Sequence, residues 1–191
     1  EQILANRTAL GGRLFIDLMA ADIVTLQSSS DSCASPQAFP FDTWNTLYPP
    51  KNKPGLIQLL QTLESHTPPG TRATSLIYYL FLDYPPSLLP PDESLARYYA
   101  EVTDLPKAYM HLVQGLHALD TRQYARGLAA LADPDIVPSY TEQIVAAFIR
   151  AQTAPTAAAS QPSPSNDTPT PPLPGGYSLA IAYITAKAPQ L

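Results

Sequence analysis

Prolines divide this chain into short segments and so limit the length of any regular element it can form. The chain has 22 prolines among 191 residues, well above the average share of about 5%. A proline inside a helix removes a hydrogen bond and clashes with the preceding turn, so helices end before it or begin at it. Between the prolines, apolar residues recur at i, i+3 and i+4, which indicates helices that each bury one stripe.

This spacing predicts short helices along most of the chain. The first covers residues 1–26, where Gly11 and Gly12 either bend the helix or split it. The others are predicted at 54–65, 71–82, 92–102, 106–119, 121–131, 138–152 and 177–187. We predict a loop over 33–52 and a Pro/Ser/Thr/Ala-rich linker over 153–176. The predicted organisation is a main block 1–152, a tether, and a short C-terminal helix within 177–191.

One continuous apolar run, residues 76–82, is compatible with either a buried strand or a buried helix. We assign it to a helix because the sequence has no second strand-like run to pair with it. The predicted fold class is therefore all-α, an irregular stack of short antiparallel helices that resembles helical-repeat packing without a strict repeat signature.

Charge and composition exclude several classes of function. Eleven basic and 16 acidic residues give a net charge of −5, with a pI near 5.0 and a mean hydropathy of −0.07. A nucleic-acid binder or a membrane-surface protein needs a basic face, so neither is expected. No apolar run approaches the ~20 residues that span a bilayer. Because the chain opens with Glu1 and Gln2, without Met or a basic region, we expect no signal peptide and a longer parent chain.

The residues that usually carry chemistry do not form a recognisable site. A single cysteine, Cys33, excludes an internal disulfide and a cysteine-built zinc site. His111 and His117 are six positions apart and do not share a helix face. Phosphate-binding, nucleophile-elbow and metalloprotease motifs are all absent. We expect no catalytic residue, cofactor or metal. The remote alternative, an all-helical enzyme with scattered carboxylates, would need a pocket with two or more carboxyl groups of raised pKa.

The predicted loop 33–52 is rich in aromatic residues, and such side chains either pack on the core or meet a partner. Interface hot spots are enriched in Trp and Tyr. Phe39, Phe41, Trp44 and Tyr48 are therefore candidates for a partner interface. The alternative is that Trp44 packs against the core of its own domain.

Several stretches resemble the ELYS-like domain of nuclear pore proteins. The resemblance extends over residues 36–152. Its first motifs are Phe39-Pro40-Phe41-Asp42 and the run Tyr78-Tyr79-Leu80-Phe81-Leu82-Asp83. The others are residues 112–120, then Tyr124, Gly127-Leu128, Leu131, Asp133-Pro134 and Val137-Pro138, and finally residues 143–148. At position 117 this chain has a histidine where the family commonly has an aromatic residue. The resemblance implies structural roles: Gly115 for close helix packing and Asp120 for a cap. From the residues alone, Asp120 or Thr121 would cap helix 121–131, and Asp133-Pro134 would end it.

The resemblance also implies a function. Members of this family are non-catalytic nucleoporins that dock on the outer-ring Y-shaped scaffold complex and take part in pore assembly. We therefore expect a nuclear-envelope location at the nuclear pore complex, which carries mRNA and protein transport. The expected partners are a β-propeller subunit and a long α-solenoid subunit. DNA or chromatin would be bound only through a longer parent chain. The alternative is a generic α-helical adaptor or tethering subunit.

Overall fold

The computed structural model describes residues 2–9, 12–30, 41–66, 70–83, 94–151 and 176–190. Within these ranges 79% of the residues are helical and none forms a strand, which confirms the all-α prediction. The helices are α1 (Gln2–Ala9), α2 (Phe15–Ser30), α3 (Phe41–Leu47), α4 (Lys53–His66), α5 (Thr71–Leu82), α6 (Leu95–Val102), α7 (Lys107–Asp120), α8 (Tyr124–Leu131), α9 (Thr141–Ala151) and α10 (Gly176–Lys187). A 3-10 turn, Ala188–Gln190, follows α10.

Helices α5 and α7 lie at the centre of the stack. Helix α5 packs against α2, α6 and α7, and α7 also contacts α2, α8 and α9. The residues that give α5 its continuous apolar run are accordingly buried or partly buried. Its bounds match the prediction for 71–82, so the choice of helix over strand is confirmed.

Glycines set the distance between α7 and α8. A Cβ on Gly115 would lie 2.5 Å from Cγ of Leu131, and a Cβ on Gly127 would lie 2.8 Å from Cδ2 of Leu119. Contacts this short do not occur between real atoms, so both positions need a residue without a side chain. The two helices approach each other closely because each presents a glycine to the other.

The N-terminal third of the chain shows one of the two predicted alternatives, a split at the glycines, and requires one correction. The predicted helix over 1–26 is split into α1 and α2, and Gly12 between them has φ of +93°, which favours glycine. The predicted loop over 33–52 contains α3. Trp44 and Tyr48 lie four residues apart, and the Tyr48 amide donates to the Trp44 carbonyl, so a single helical turn buries both rings.

After α5, three helix starts differ from the prediction by more than one residue. Helix α6 begins at Leu95 rather than at 92, because Oγ of Ser94 accepts the amide of Arg97. Helix α8 begins at Tyr124 rather than at 121, and Arg122 in the intervening turn has φ of +62°. Helix α9 begins at Thr141 rather than at Pro138 or Ser139. Asp92 and Glu93, Cys33, and the predicted linker up to residue 175 lie outside the described residues.

The C-terminal helix α10 packs against α9 and α8. The ring of Tyr183 lies 6.0 Å from that of Phe148 on α9. Beyond it, Nζ of Lys187 donates to the carbonyl oxygens of Asp133 and Ile136. Gln190 also donates to the carbonyl of Pro134. The carbonyl groups of segment 133–136, which follows α8, therefore anchor the C-terminal end of α10 through hydrogen bonds.

Candidate functional site

The aromatic candidates in the 33–52 region do not form a surface patch. Trp44 is 0% exposed and Tyr48 is 2% exposed, and their rings stack with centroids 5.1 Å apart. The prediction of a partner interface is therefore wrong for these two residues, because no partner can reach them without unfolding the domain. Phe39 and the side chain of Phe41 lie outside what the structure describes.

Asp17 joins three N-terminal elements. Its carboxylate accepts Nη2 of Arg7 on α1 at 2.6 Å and Nε at 3.1 Å, which is a bidentate ion pair. It also accepts Nε1 of Trp44 on α3 at 3.0 Å and the amide of Leu14 at 2.9 Å. Because Leu14 precedes the first turn of α2, this last bond caps that helix. A single buried carboxylate thus fixes α1, α2 and α3 to one another.

Asp120 connects the end of α7 to the beginning of α2. Its carboxylate accepts the amide of Phe15 at 2.8 Å and the hydroxyl of Tyr79 on α5 at 2.6 Å. Burial raises the pKa of Asp120 to about 7, although the bonds from Tyr79 and Phe15 act in the opposite direction. The expected cap for helix 121–131 is therefore wrong: Asp120 caps a helix that lies 105 residues earlier in the chain.

His111, His117 and Tyr48 also bind within the protein. Nε2 of His117 lies 3.0 Å from Oδ1 of Asp83, and Oδ2 of Asp83 accepts the hydroxyl of Tyr48 at 2.7 Å. Nδ1 of His111 lies 2.6 Å from Oδ2 of Asp133. The backbone amide of Asp135 and the bond to His111 lower the pKa of Asp133. Burial raises the pKa of Tyr48. The described residues include no cluster of three metal-ligating side chains.

The described residues line at least two surface depressions large enough to hold a small group. One, of about 480 Å³, lies between α2, α5, α7 and the start of α9, and Tyr140 in it donates to Asp22 at 2.5 Å. The other, of about 600 Å³, is lined by Asp120 and Glu142 among others. The oxygens of Asp120 are already bonded to Phe15 and Tyr79, so they are not free to bind a substrate.

Among the described helices, α10 and α6 each expose more than one large apolar residue. On α10, Tyr177, Ile181 and Ile184 are 60%, 63% and 42% exposed. On α6, Tyr98 and Val102 are both 65% exposed, beside an exposed ion pair of Arg97 and Glu101. The sequence contained a signal for the exposed apolar surface of α10, since apolar residues occur all around this helix. Such a helix packed on one side alone must leave apolar residues on the other.

The comparisons with known proteins point to the same family as the motifs. Residues 13–191 match the ELYS family, described as nuclear pore complex assembly. Over 101 residues the chain is 29% identical to a protein of Schizosaccharomyces pombe named "Uncharacterized protein ely5", a region that covers 53% of this chain and 31% of that protein. The chain thus spans about a third of the length of this relative. No solved structure matches. Of the helices in the described ranges, none has the length and apolar character needed to cross a membrane.

Proposed function

The chain belongs to the ELYS family, and from that premise we propose that it is a non-catalytic module that docks on the outer-ring Y-shaped scaffold complex of the nuclear pore. The observation that carries the proposal is the match of residues 13–191 to a family of nuclear pore complex assembly. This range contains every helix from α2 to α10, so the match covers a folded unit rather than one motif.

The geometry supports a role in binding rather than in catalysis. The buried carboxylates Asp17 and Asp120 both accept hydrogen bonds that hold helix ends in place. A catalytic acid or base needs an open position beside a substrate. These groups instead stabilise one arrangement of the helices, as a docking module requires.

We further propose the location and the partners of the module. It acts at the nuclear envelope within the nuclear pore complex and contributes to mRNA and protein transport through pore assembly. Its partners are a β-propeller subunit and a long α-solenoid subunit of the outer ring. With a net charge of −5, the segment itself is a poor ligand for DNA, so chromatin binding belongs to a longer parent chain.

Co-elution with purified outer-ring components tests this proposal. The chain is mixed with the purified Y-shaped complex and passed over a size-exclusion column. A helical tethering complex from vesicle transport serves as the control, because the alternative is a generic helical adaptor. We expect co-elution with the Y-shaped complex and none with the control. Co-elution with neither complex, or equal co-elution with both, contradicts the proposal.

A further inference from the structure

Helix α10 buries one apolar face and exposes another. Leu179, Ala180 and Tyr183 face α8 and α9 and are buried. Tyr177, Ile181 and Ile184 follow the i, i+4, i+7 spacing that places side chains on one side of a helix, and all three are exposed. We call this exposed stripe of three residues the outer face of α10.

The outer face of α10 is also free of charge. Lys187 is the only charged residue in 176–190, and its side chain is 0% exposed because it bonds the carbonyls of Asp133 and Ile136. Helix α6 differs, since the ion pair of Arg97 and Glu101 lies beside its exposed apolar pair. An uncharged apolar helix face is typical of a protein interface.

The form of the outer face favours a helix as the occupant. Tyr177, Ile181 and Ile184 make a ridge of large side chains along α10. The neighbouring exposed positions are small: Ser178, Ala182 and Thr185. A ridge beside a row of small residues is the surface that a second helix packs against.

Neither a second copy of this chain nor a lipid surface suits the outer face as well. A helix of 12 residues is about 18 Å long. At a width of about 10 Å it offers roughly 180 Å², whereas a stable interface buries about 800 Å² on each partner. Two copies paired through α10 alone would therefore associate weakly. A lipid surface is disfavoured because the segment exposes no basic side chain for the headgroups.

We propose that the outer face of α10 docks against the uncharged apolar face of a helix in a scaffold protein of the nuclear pore. This inference rests on the proposed function and adds to it the surface that is used. A large scaffold protein can contact α10 and reach further surface of the domain at the same time. Because the contact carries no charge, the affinity depends little on salt.

A matched pair of variants tests the inference. Ile181→Glu places a charge on the outer face of α10, and Val102→Glu makes the same change at an equally exposed aliphatic residue of α6. Each chain is labelled and titrated with the purified Y-shaped complex, with fluorescence anisotropy as the readout. We expect Ile181→Glu to weaken binding at least about tenfold. Val102→Glu should change the affinity for the Y-shaped complex by less than about threefold. Raising the NaCl concentration from about 100 to about 400 mM should also change the affinity of the wild type by less than about threefold.

Thermal unfolding of both variants verifies that they are folded, since neither position is in the core. If the wild type binds and Ile181→Glu binds equally well, the inference is overturned and the proposed function stands. If the wild type does not bind the complex, the proposed function fails and the inference with it. A dimer of the chain alone that Ile181→Glu abolishes would identify a second copy as the occupant and overturn the proposal. If the wild type floats with phosphatidylcholine vesicles and Ile181→Glu abolishes this flotation, the occupant is a lipid surface and the proposal is also overturned.

Discussion

Asp120 is a carboxyl group that the fold buries in order to cap a distant helix. In the folded protein burial raises its pKa to about 7, whereas an aspartate in the unfolded chain has a pKa of about 3.9. At a pH between these two pKa values, the carboxyl group of Asp120 is protonated in the folded state and ionised in the unfolded state. The stabilisation from this proton is complete below about pH 4 and is lost as the pH rises to about 7.

Replacing Asp120 with asparagine removes this ionisation while keeping the size of the side chain. We expect the free energy of unfolding of the wild type, relative to Asp120→Asn, to fall by on the order of 1 kcal/mol per pH unit between about pH 5 and pH 7. Above about pH 7 the difference should stay constant. Urea unfolding at several pH values measures this difference in the free energy of unfolding. Asp135→Asn, which makes the same change at an exposed carboxylate, is the control. A difference between Asp120→Asn and the wild type that does not change with pH would contradict this account.

At the scale of single elements, Lys187 holds the C-terminal end of α10 in place. Its buried amine donates to the carbonyls of Asp133 and Ile136, and burial lowers its pKa. Hydrogen bonds that involve a charged group contribute about 1.5–3 kcal/mol each. Without them the helix should open locally more often than the rest of the domain.

Lys187→Met keeps the apolar stem and removes the amine, so it tests this anchoring directly. We expect the amides of α10 to exchange with deuterium at least about tenfold faster, while those of α5 and α7 change little. Lys107→Met, at an exposed lysine of α7, is the control and should leave the exchange of α10 unchanged. If exchange accelerates equally in all helices, α10 is not a separately anchored element.

The sequence predicted the elements best where apolar spacing was long and regular. The prediction for 71–82 matches α5, and that for 177–187 differs from α10 by one residue. It missed α3, because its seven residues, which lie beside several prolines, make only about two helical turns. It placed the start of α6 too early because acidic residues at 92 and 93 resemble a helix start, whereas the Oγ of Ser94 makes the cap.

Residue roles were harder to predict than elements because they depend on distant parts of the chain. Asp120 was expected to cap the helix that follows it, yet its donors are Phe15 and Tyr79. Trp44 was a candidate for an interface, yet its indole nitrogen bonds Asp17, which is 27 residues away. Local spacing contains no information about such partners. The exposed stripe of α10 could be anticipated only from the scarcity of charge in that helix, where Lys187 is the one charged residue.

At the scale of the whole molecule, helix α2 near the N-terminus packs against the two central helices. Helix α2 packs against α5 and α7, and Asp120 caps it. The family match begins at residue 13, just before this helix, and continues to residue 191. A module of this size, with its buried carboxylates Asp17 and Asp120 bound internally and an uncharged apolar stripe on its outside, is suited to hold a position in an assembly.

The most direct test of the central claim is crosslinking mass spectrometry on an assembled nuclear pore outer ring that contains this chain. The account predicts crosslinks between described residues of the chain and subunits of the Y-shaped complex. Crosslinks confined to the chain itself, or made only to proteins outside the outer ring, would contradict it.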